Sequence, residues 1–267
     1  MFNKLLRQSL KPLTRVLHEK AYKEWLRLFD LFKNPNISYP YRVKAMQIDW
    51  EVHHGDAFLN QFDSIFIDQI YEFECASKCP VIIDCGANMG TSVLYFKHLF
   101  PEAKLFAFEP DKAIFEVLQR NIKNNKLTDV KLYNKAVWID NKNMFFDSNN
   151  AQSGKLILTA NEVEVQCVRL KDFLQDFESI DFLKLDIEGA ELHVLQDIST
   201  ELKKVKHLFI EYHSAVNKVQ ELSTLLSILE QEGFRYYVGG SSKKSPFINK
   251  VIEEGMDLTL DIFATKN

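Results

Sequence analysis

The chain has 267 residues, of which 46% are hydrophobic and 26% charged, with nine glycines and seven prolines; that composition buries one large core and excludes a disordered or collagen-like polymer. Its formal net charge of -4 gives no overall reason to expect nucleic acid as a partner, although residues 1–33 carry eight basic against three acidic side chains, an excess of +5 that leaves -9 for the rest. Cys75, Cys79, Cys85 and Cys167 are too few for a disulfide scaffold and form no C-x-x-C pair. No segment reads as a signal peptide or approaches the roughly 18 consecutive apolar residues of a membrane span, so a cytoplasmic location is expected.

Apolar residues at Leu5, Leu6, Leu10, Leu13, Val16, Leu17, Trp25, Leu28, Phe29 and Phe32 recur at helical spacing and predict two short amphipathic helices, with a start or kink at Pro12. This basic segment reads as packing on the rest of the protein or on a second copy of the chain; peripheral attachment to an anionic membrane surface is the alternative. Asn34-Pro35-Asn36 and Tyr39-Pro40-Tyr41 are breakers, and from there to Pro80 only Phe58 to Phe73 reads as a helix. Residues 1–78 are therefore set apart as a mainly helical cap segment and residues 79–267 as a catalytic domain.

From Val81 onward, short apolar runs alternate with amphipathic helices, as a parallel sheet with crossover helices requires. Strands are expected at Val81 to Cys85, Leu105 to Phe108, Val130 to Trp138, Phe182 to Asp186, His207 to Tyr212, Tyr236 to Val238 and Leu258 to Ala264. Helices are expected at Thr91 to Leu99, Lys112 to Asn124, Ala190 to Leu195 and Val219 to Glu232. Between the third and fourth strands, Asn143 to Val168 alternates in character and reads as a β-hairpin, with Asn149, Asn150, Ser153 and Gly154 supplying its turn.

The strongest chemical signal is Val81-Ile82-Ile83-Asp84-Cys85-Gly86-Ala87-Asn88-Met89-Gly90-Thr91-Ser92. A buried strand runs into an acidic residue, then a glycine loop that lets a ligand approach the backbone, then a helix. A pyrophosphate-binding loop needs G-x-G-x-x-G, and Asn88 stands where its second glycine belongs, so phosphate fits poorly. The loop suits a cofactor carrying a zwitterionic amino acid, whose ammonium Asp84 attracts directly or through water. The second strand ends in Phe108-Glu109-Pro110, 19 residues beyond Gly90 for Glu109, where a carboxylate accepts hydrogen bonds from both hydroxyls of a ribose. Together these favour S-adenosylmethionine over a nicotinamide dinucleotide.

Asp181-Phe182-Leu183-Lys184-Leu185-Asp186-Ile187-Glu188-Gly189-Ala190-Glu191 ends a strand in a charged cluster. Lys184 and Asp186 share one strand face, and Glu188 and Glu191 otherwise read as helix caps. The next strand ends in Phe209-Ile210-Glu211-Tyr212-His213, with Glu211 and His213 on one face and His213 placed to act as general base or to orient a substrate. The candidate catalytic set is Lys184, Asp186, Glu188, Glu211 and His213. Asp186, Glu188, Glu211 and His213 form an alternative divalent-cation set, since carboxylates with one imidazole suit Mg or Mn, but no metal is expected.

Four landmarks, the Asp84 to Gly90 loop, Phe108-Glu109-Pro110, Lys135-Ala136-Val137 and the Lys184 to Glu191 string, followed by Glu211-Tyr212-His213, resemble the FkbM-type methyltransferases over roughly residues 80–265. The resemblance implies a class I methyltransferase fold, a Rossmann-like seven-stranded mostly parallel sheet with flanking helices whose last strand is antiparallel. It implies S-adenosylmethionine held by Asp84, Gly86, Asn88, Gly90 and Glu109, with Ala87, Thr91, Ser92, Pro110, Ala136 and Asp186 counted in the same site. Members of the family mostly methylate hydroxyls of sugars, glycans or polyketides, which implies an O-methyltransferase with a small-molecule or glycan acceptor. Cys85 departs from the family, where a smaller or branched apolar residue is usual. The alternatives are a protein or nucleic-acid methyltransferase, disfavoured by the acidic catalytic part and the lack of an N-P-P-Y-like tetrapeptide, and a non-catalytic binding module of the same fold.

Overall fold

The computed structural model describes residues 12–147, 162–216, 218–239 and 255–266. Seven strands form the central sheet: β3 (Val81–Cys85), β4 (Lys104–Phe108), β5 (Val130–Tyr133), β10 (Ile180–Leu185), β11 (Val205–Ala215), β12 (Arg235–Gly239) and β13 (Met256–Thr265). Their order is β12-β13-β11-β10-β3-β4-β5. The pairs from β5 across to β11 are parallel, and β13 runs antiparallel to both its neighbours. This is the class I methyltransferase arrangement.

Alternation along each strand sends side chains to two separate cores. Ile82, Leu105, Phe182 and Phe209 enter one cluster, covered by α3 (Thr91–Leu99), α4 (Lys112–Asn124) and the N-terminal segment. Ile83, Phe108, Leu183, Leu185 and Ile210 enter the other, covered by α6 (Glu191–Asp197) and α7 (Leu222–Gln231). Every residue of β10 is buried, as expected of a central strand covered on both faces.

The N-terminal segment differs from the expectation. One helix, α1 (Pro12–Phe32), spans the described part of the stretch expected to hold two, with Pro12 at its first position where a missing N–H costs nothing; the expected helical residues before Pro12 lie outside the described residues. A hairpin of β1 (Tyr41–Ala45) and β2 (Ile48–Val52) follows, turning on Met46 and Gln47, both left-handed. Then comes α2 (Gly55–Phe62), which widens into a π-turn over Asp63–Ile67.

Two asparagines one turn apart, Asn121 on α4 and Asn125 at its C-terminal cap, fasten β2 to the domain. Asn121 accepts from Glu51 N–H at 2.6 Å and donates to the carbonyls of Glu51 and Met89 at 2.9 and 2.8 Å. Asn125 exchanges the same pair of bonds with Asp49 at 2.9 and 2.8 Å. Each side-chain amide thus stands in for the backbone of a neighbouring strand.

The strand expected over Val130 to Trp138 is two. Asn134 leaves the sheet to donate to the carbonyls of Glu109 and Pro110, both at 2.9 Å, and β6 (Ala136–Trp138) pairs instead with β9 (Cys167–Arg169). The expected hairpin begins and ends in β7 (Met144–Asp147) and β8 (Glu162–Val165), which pair antiparallel; its turn around Gly154 lies outside the described residues. Among the described residues no helix is long and apolar enough to cross a membrane.

Candidate functional site

The carboxyl ends of β3, β10 and β11, where open α/β sheets bind ligands, meet a cleft of about 330 Å³. Its floor is the loop after β3. Gly86, Asn88 and Gly90 all have positive φ, of 88°, 49° and 94°, which winds the backbone tightly from strand to helix. A Cβ at Gly86 would fall on the carbonyl oxygen of Asp186, so the loop is pressed against the end of β10 and only glycine fits. The N–H groups of Gly86 and Ala87 both donate to the carbonyl of Phe108, at 3.0 and 2.9 Å. Glu109 joins the two loops from below, accepting from Asn88 N–H at 2.9 Å and Asp111 N–H at 2.8 Å. Burial pushes its carboxyl up to about 8, against the opposing pull of those two N–H groups.

Below the cleft lies a buried ion-pair layer. Strand register sets Asp84 beside Lys184. Asp84 is fully buried, accepts from Ser92 Oγ at 2.5 Å and sits 3.3 Å from Lys184 Nζ. Lys184 donates to the carbonyl of Gly86 at 2.7 Å and reaches Asp186 at 3.1 Å. Burial works against its charge, but Asp186 and Asp84 outweigh that and hold the ammonium well above its ordinary value. Asp84 itself does not line the cleft; the cation beside it, Lys184, does. Lys184 acts as a strut between loop and strand.

One step further along the strands is a row of carboxylates. Glu211 of β11 stands directly opposite Asp261 of β13, and Asp186 follows Leu185, the partner of Ile210, at the same level on the other side. All three line the cleft, with Thr259 beside them. The negative charge of Asp186, then burial, pushes the Glu211 carboxyl up; burial, then Asp186, does the same to Asp261.

His213 lies behind this row with its side chain only 6% exposed. Its Nδ1 is 3.1 Å from Glu191 Oε1, and its Nε2 is 3.6 Å from both Glu188 and Glu211. Burial disfavours a charged ring, but the Glu191 contact and the charges of Glu191, Glu188 and Asp186 prevail and hold it at about 10. These surroundings favour the protonated ring, which donates rather than accepts a hydrogen bond. Glu188 itself adopts a left-handed φ of 57° in the turn.

Of the expected cofactor residues, Gly86, Ala87, Asn88, Ser92 and Asp186 line the cleft. Thr91 is buried and donates to Gln61 at 2.7 Å. Glu109 and Pro110 flank the loop, Gly90 packs against Leu118, and Ala136 lies in a separate small cluster with Val165 and Cys167. Three contributions to the site were not among the expected site residues. Asp261 arrives through an antiparallel pairing that no motif announces. Asn60, Gln61, Ser64, Ile65, Ile70 and Tyr71 form the opposite wall from the N-terminal segment. Glu191 was legible only as the last letter of its string, yet it is 1% exposed and receives the N–H groups of Ile187 and Gly189 at 3.1 and 3.0 Å as well as His213.

Residues 84–236 match the family model described as the methyltransferase FkbM domain. Methyltransferase sdnD of Sordaria araneosa is 30% identical, the match covering 65% of this chain and 80% of that protein. Methyltransferase 1 of Beauveria bassiana is 27% identical over 64% of this chain and 78% of its own length. The 2-O-methyltransferase NoeI of Sinorhizobium fredii is 28% identical over 50% of this chain and 63% of its own.

Proposed function

Since the chain belongs to the FkbM methyltransferase family, we propose that it is an S-adenosylmethionine-dependent O-methyltransferase acting on a hydroxyl of a sugar, glycan or secondary metabolite. The observation that carries this reading is the pairing of a phosphate-unsuited glycine loop, braced by Glu109, with an acidic cleft at the same strand ends. A cationic sulfonium with an ammonium suits that cleft: among the described lining residues the carboxylates are Asp186, Glu211 and Asp261, and the one cation, Lys184, is committed to Asp84, Gly86 and Asp186. The open backbone at Gly86, Ala87 and Asn88 admits close approach, with Ser92, Gly90 and Thr91 supporting the turn. Glu109 beside Pro110 takes the ribose hydroxyls. A methyltransferase relative named for 2-O transfer supports oxygen as the acceptor atom.

When bound, the cofactor supplies an electrophilic methyl on a good leaving group. The chain's own contribution is position and charge. Carboxylate oxygens of Asp186, Glu211 and Asp261 face the cleft as acceptors for the proton of the attacking hydroxyl, whereas His213 is behind them. The wall from Asn60 to Tyr71 encloses the acceptor.

Calorimetric titration with S-adenosylmethionine and separately with NAD, with Glu109→Ala as control, tests the cofactor. Micromolar binding of the first alone, lost in the variant, is expected. Binding of NAD, or of neither by the folded protein, overturns the reading.

A further inference from the structure

Like charges directly opposite on antiparallel strands destabilise a sheet, yet Glu211 and Asp261 occupy such a pair and Asp186 extends the row on the far side. The ammonium of Lys184 serves Asp186 alone of the three. The row ends at an imidazole whose Nδ1 is held 3.1 Å from the buried carboxylate of Glu191, which turns Nε2 toward Glu211 and Glu188. A carboxylate behind one ring nitrogen is the arrangement that fixes the other as a metal ligand and raises its basicity. One ligand atom from each of Asp186, Glu211 and His213 lies within 4.8 Å of the others; the two carboxylates line the cleft and the imidazole backs them.

We propose that Asp186, Glu211 and His213 bind a divalent cation of the Mg or Mn kind. Two carboxylate oxygens and one imidazole nitrogen suit such an ion and leave coordination positions open. The missing thiolates and the small number of protein ligands suit structural zinc and calcium less well. An ion there takes the place of the ring proton at Nε2 and neutralises the two carboxylates. Asp186 and Glu211 would hold it at the cleft, where it would supply a Lewis acid to an acceptor hydroxyl, and Asp261 would remain as a carboxylate outside the ligand set. The site rests on this side-chain geometry alone and stands whether or not the methyl donor has been identified correctly.

The test is an electron paramagnetic resonance titration of chelator-treated protein with Mn2+ and no cofactor. One stoichiometric site that suppresses the signal of the free ion is expected, weakened by at least about tenfold in Glu211→Gln and in His213→Gln. A cooperative thermal transition of metal-free Glu211→Gln and His213→Gln shows that the variants fold. An unsuppressed signal at millimolar Mn2+ overturns the proposal, as does equal suppression in the parent and both variants. Stabilisation by ethanolamine but not by Mn2+ overturns it in favour of an amine-bearing acceptor. S-adenosylmethionine binding by the same chelated sample is read separately: a silent Mn2+ titration with intact cofactor binding removes only the metal, and the reverse removes only the cofactor reading.

Discussion

Glu191 grips His213 from one side and the turn of Ile187 to Gly189 from the other, so a single buried carboxylate sets both the imidazole and the loop that follows Asp186. Removing it leaves two N–H donors and a ring nitrogen without their acceptor in a site that is 1% exposed. Glu191→Ala should therefore cost about 3–5 kcal/mol, in the range for breaking a buried charged pair, and Glu191→Gln clearly less. Urea denaturation of the two variants measures this; equal, sub-kilocalorie losses would contradict it.

Gly86 and Gly233 share a positive φ, of 88° and 79°, but a Cβ at Gly86 falls on the Asp186 carbonyl and one at Gly233 meets nothing within 4 Å. Gly233→Ala should cost only the strain of a left-handed residue, about 1–2 kcal/mol. Gly86→Ala should cost more and should abolish cofactor binding, because the loop must lift from β10. Calorimetry beside thermal melts separates the two effects.

Acid titration of Glu109 predicts a pH dependence for the cofactor. Its carboxyl is raised to about 8, so below that pH it is mostly protonated and keeps one oxygen as a hydroxyl; above it both oxygens accept. Affinity for S-adenosylmethionine should rise with pH through about 8 and flatten beyond it. In Glu109→Gln the affinity should be lower and independent of pH over that interval; an unchanged slope would place the titrating group elsewhere.

Asn121 is fully buried and makes three hydrogen bonds, to both backbone groups of Glu51 and to Met89. Asn121→Ala should destabilise by about 2–4 kcal/mol, since three backbone groups lose a partner. At Asn125, where the bonds to Asp49 are exposed, the same change should cost under about 1 kcal/mol. Hydrogen exchange at the amides of Asp49 and Glu51 reports whether the loss is local.

The alternation of apolar runs and helices after Val81 made the sheet legible, and Asp84 to Gly90 with Glu109 made its ligand-binding edge legible, because those signals are local in sequence. The hairpin of β1 and β2 was not, since Met46 and Gln47 adopt left-handed φ without a glycine or asparagine to mark the turn. The pairing of Asp84 with Lys184 was not legible either, because only the folded register sets them side by side. His213 was read by its intrinsic titration, which three surrounding carboxylates displace. Asp261 depends on a pairing between segments about fifty residues apart, and no local pattern encodes that.

The wall from Asn60 to Tyr71 has an evolutionary corollary. It lies ahead of residues 84–236, the stretch shared with the family, while the strand ends that carry Gly86, Asp186 and Glu211 lie inside that stretch. Substitutions in the wall can reshape the space offered to an acceptor while the chemistry beneath stays untouched. On the proposed function, such changes would alter which acceptor is taken and leave the strand ends as they are.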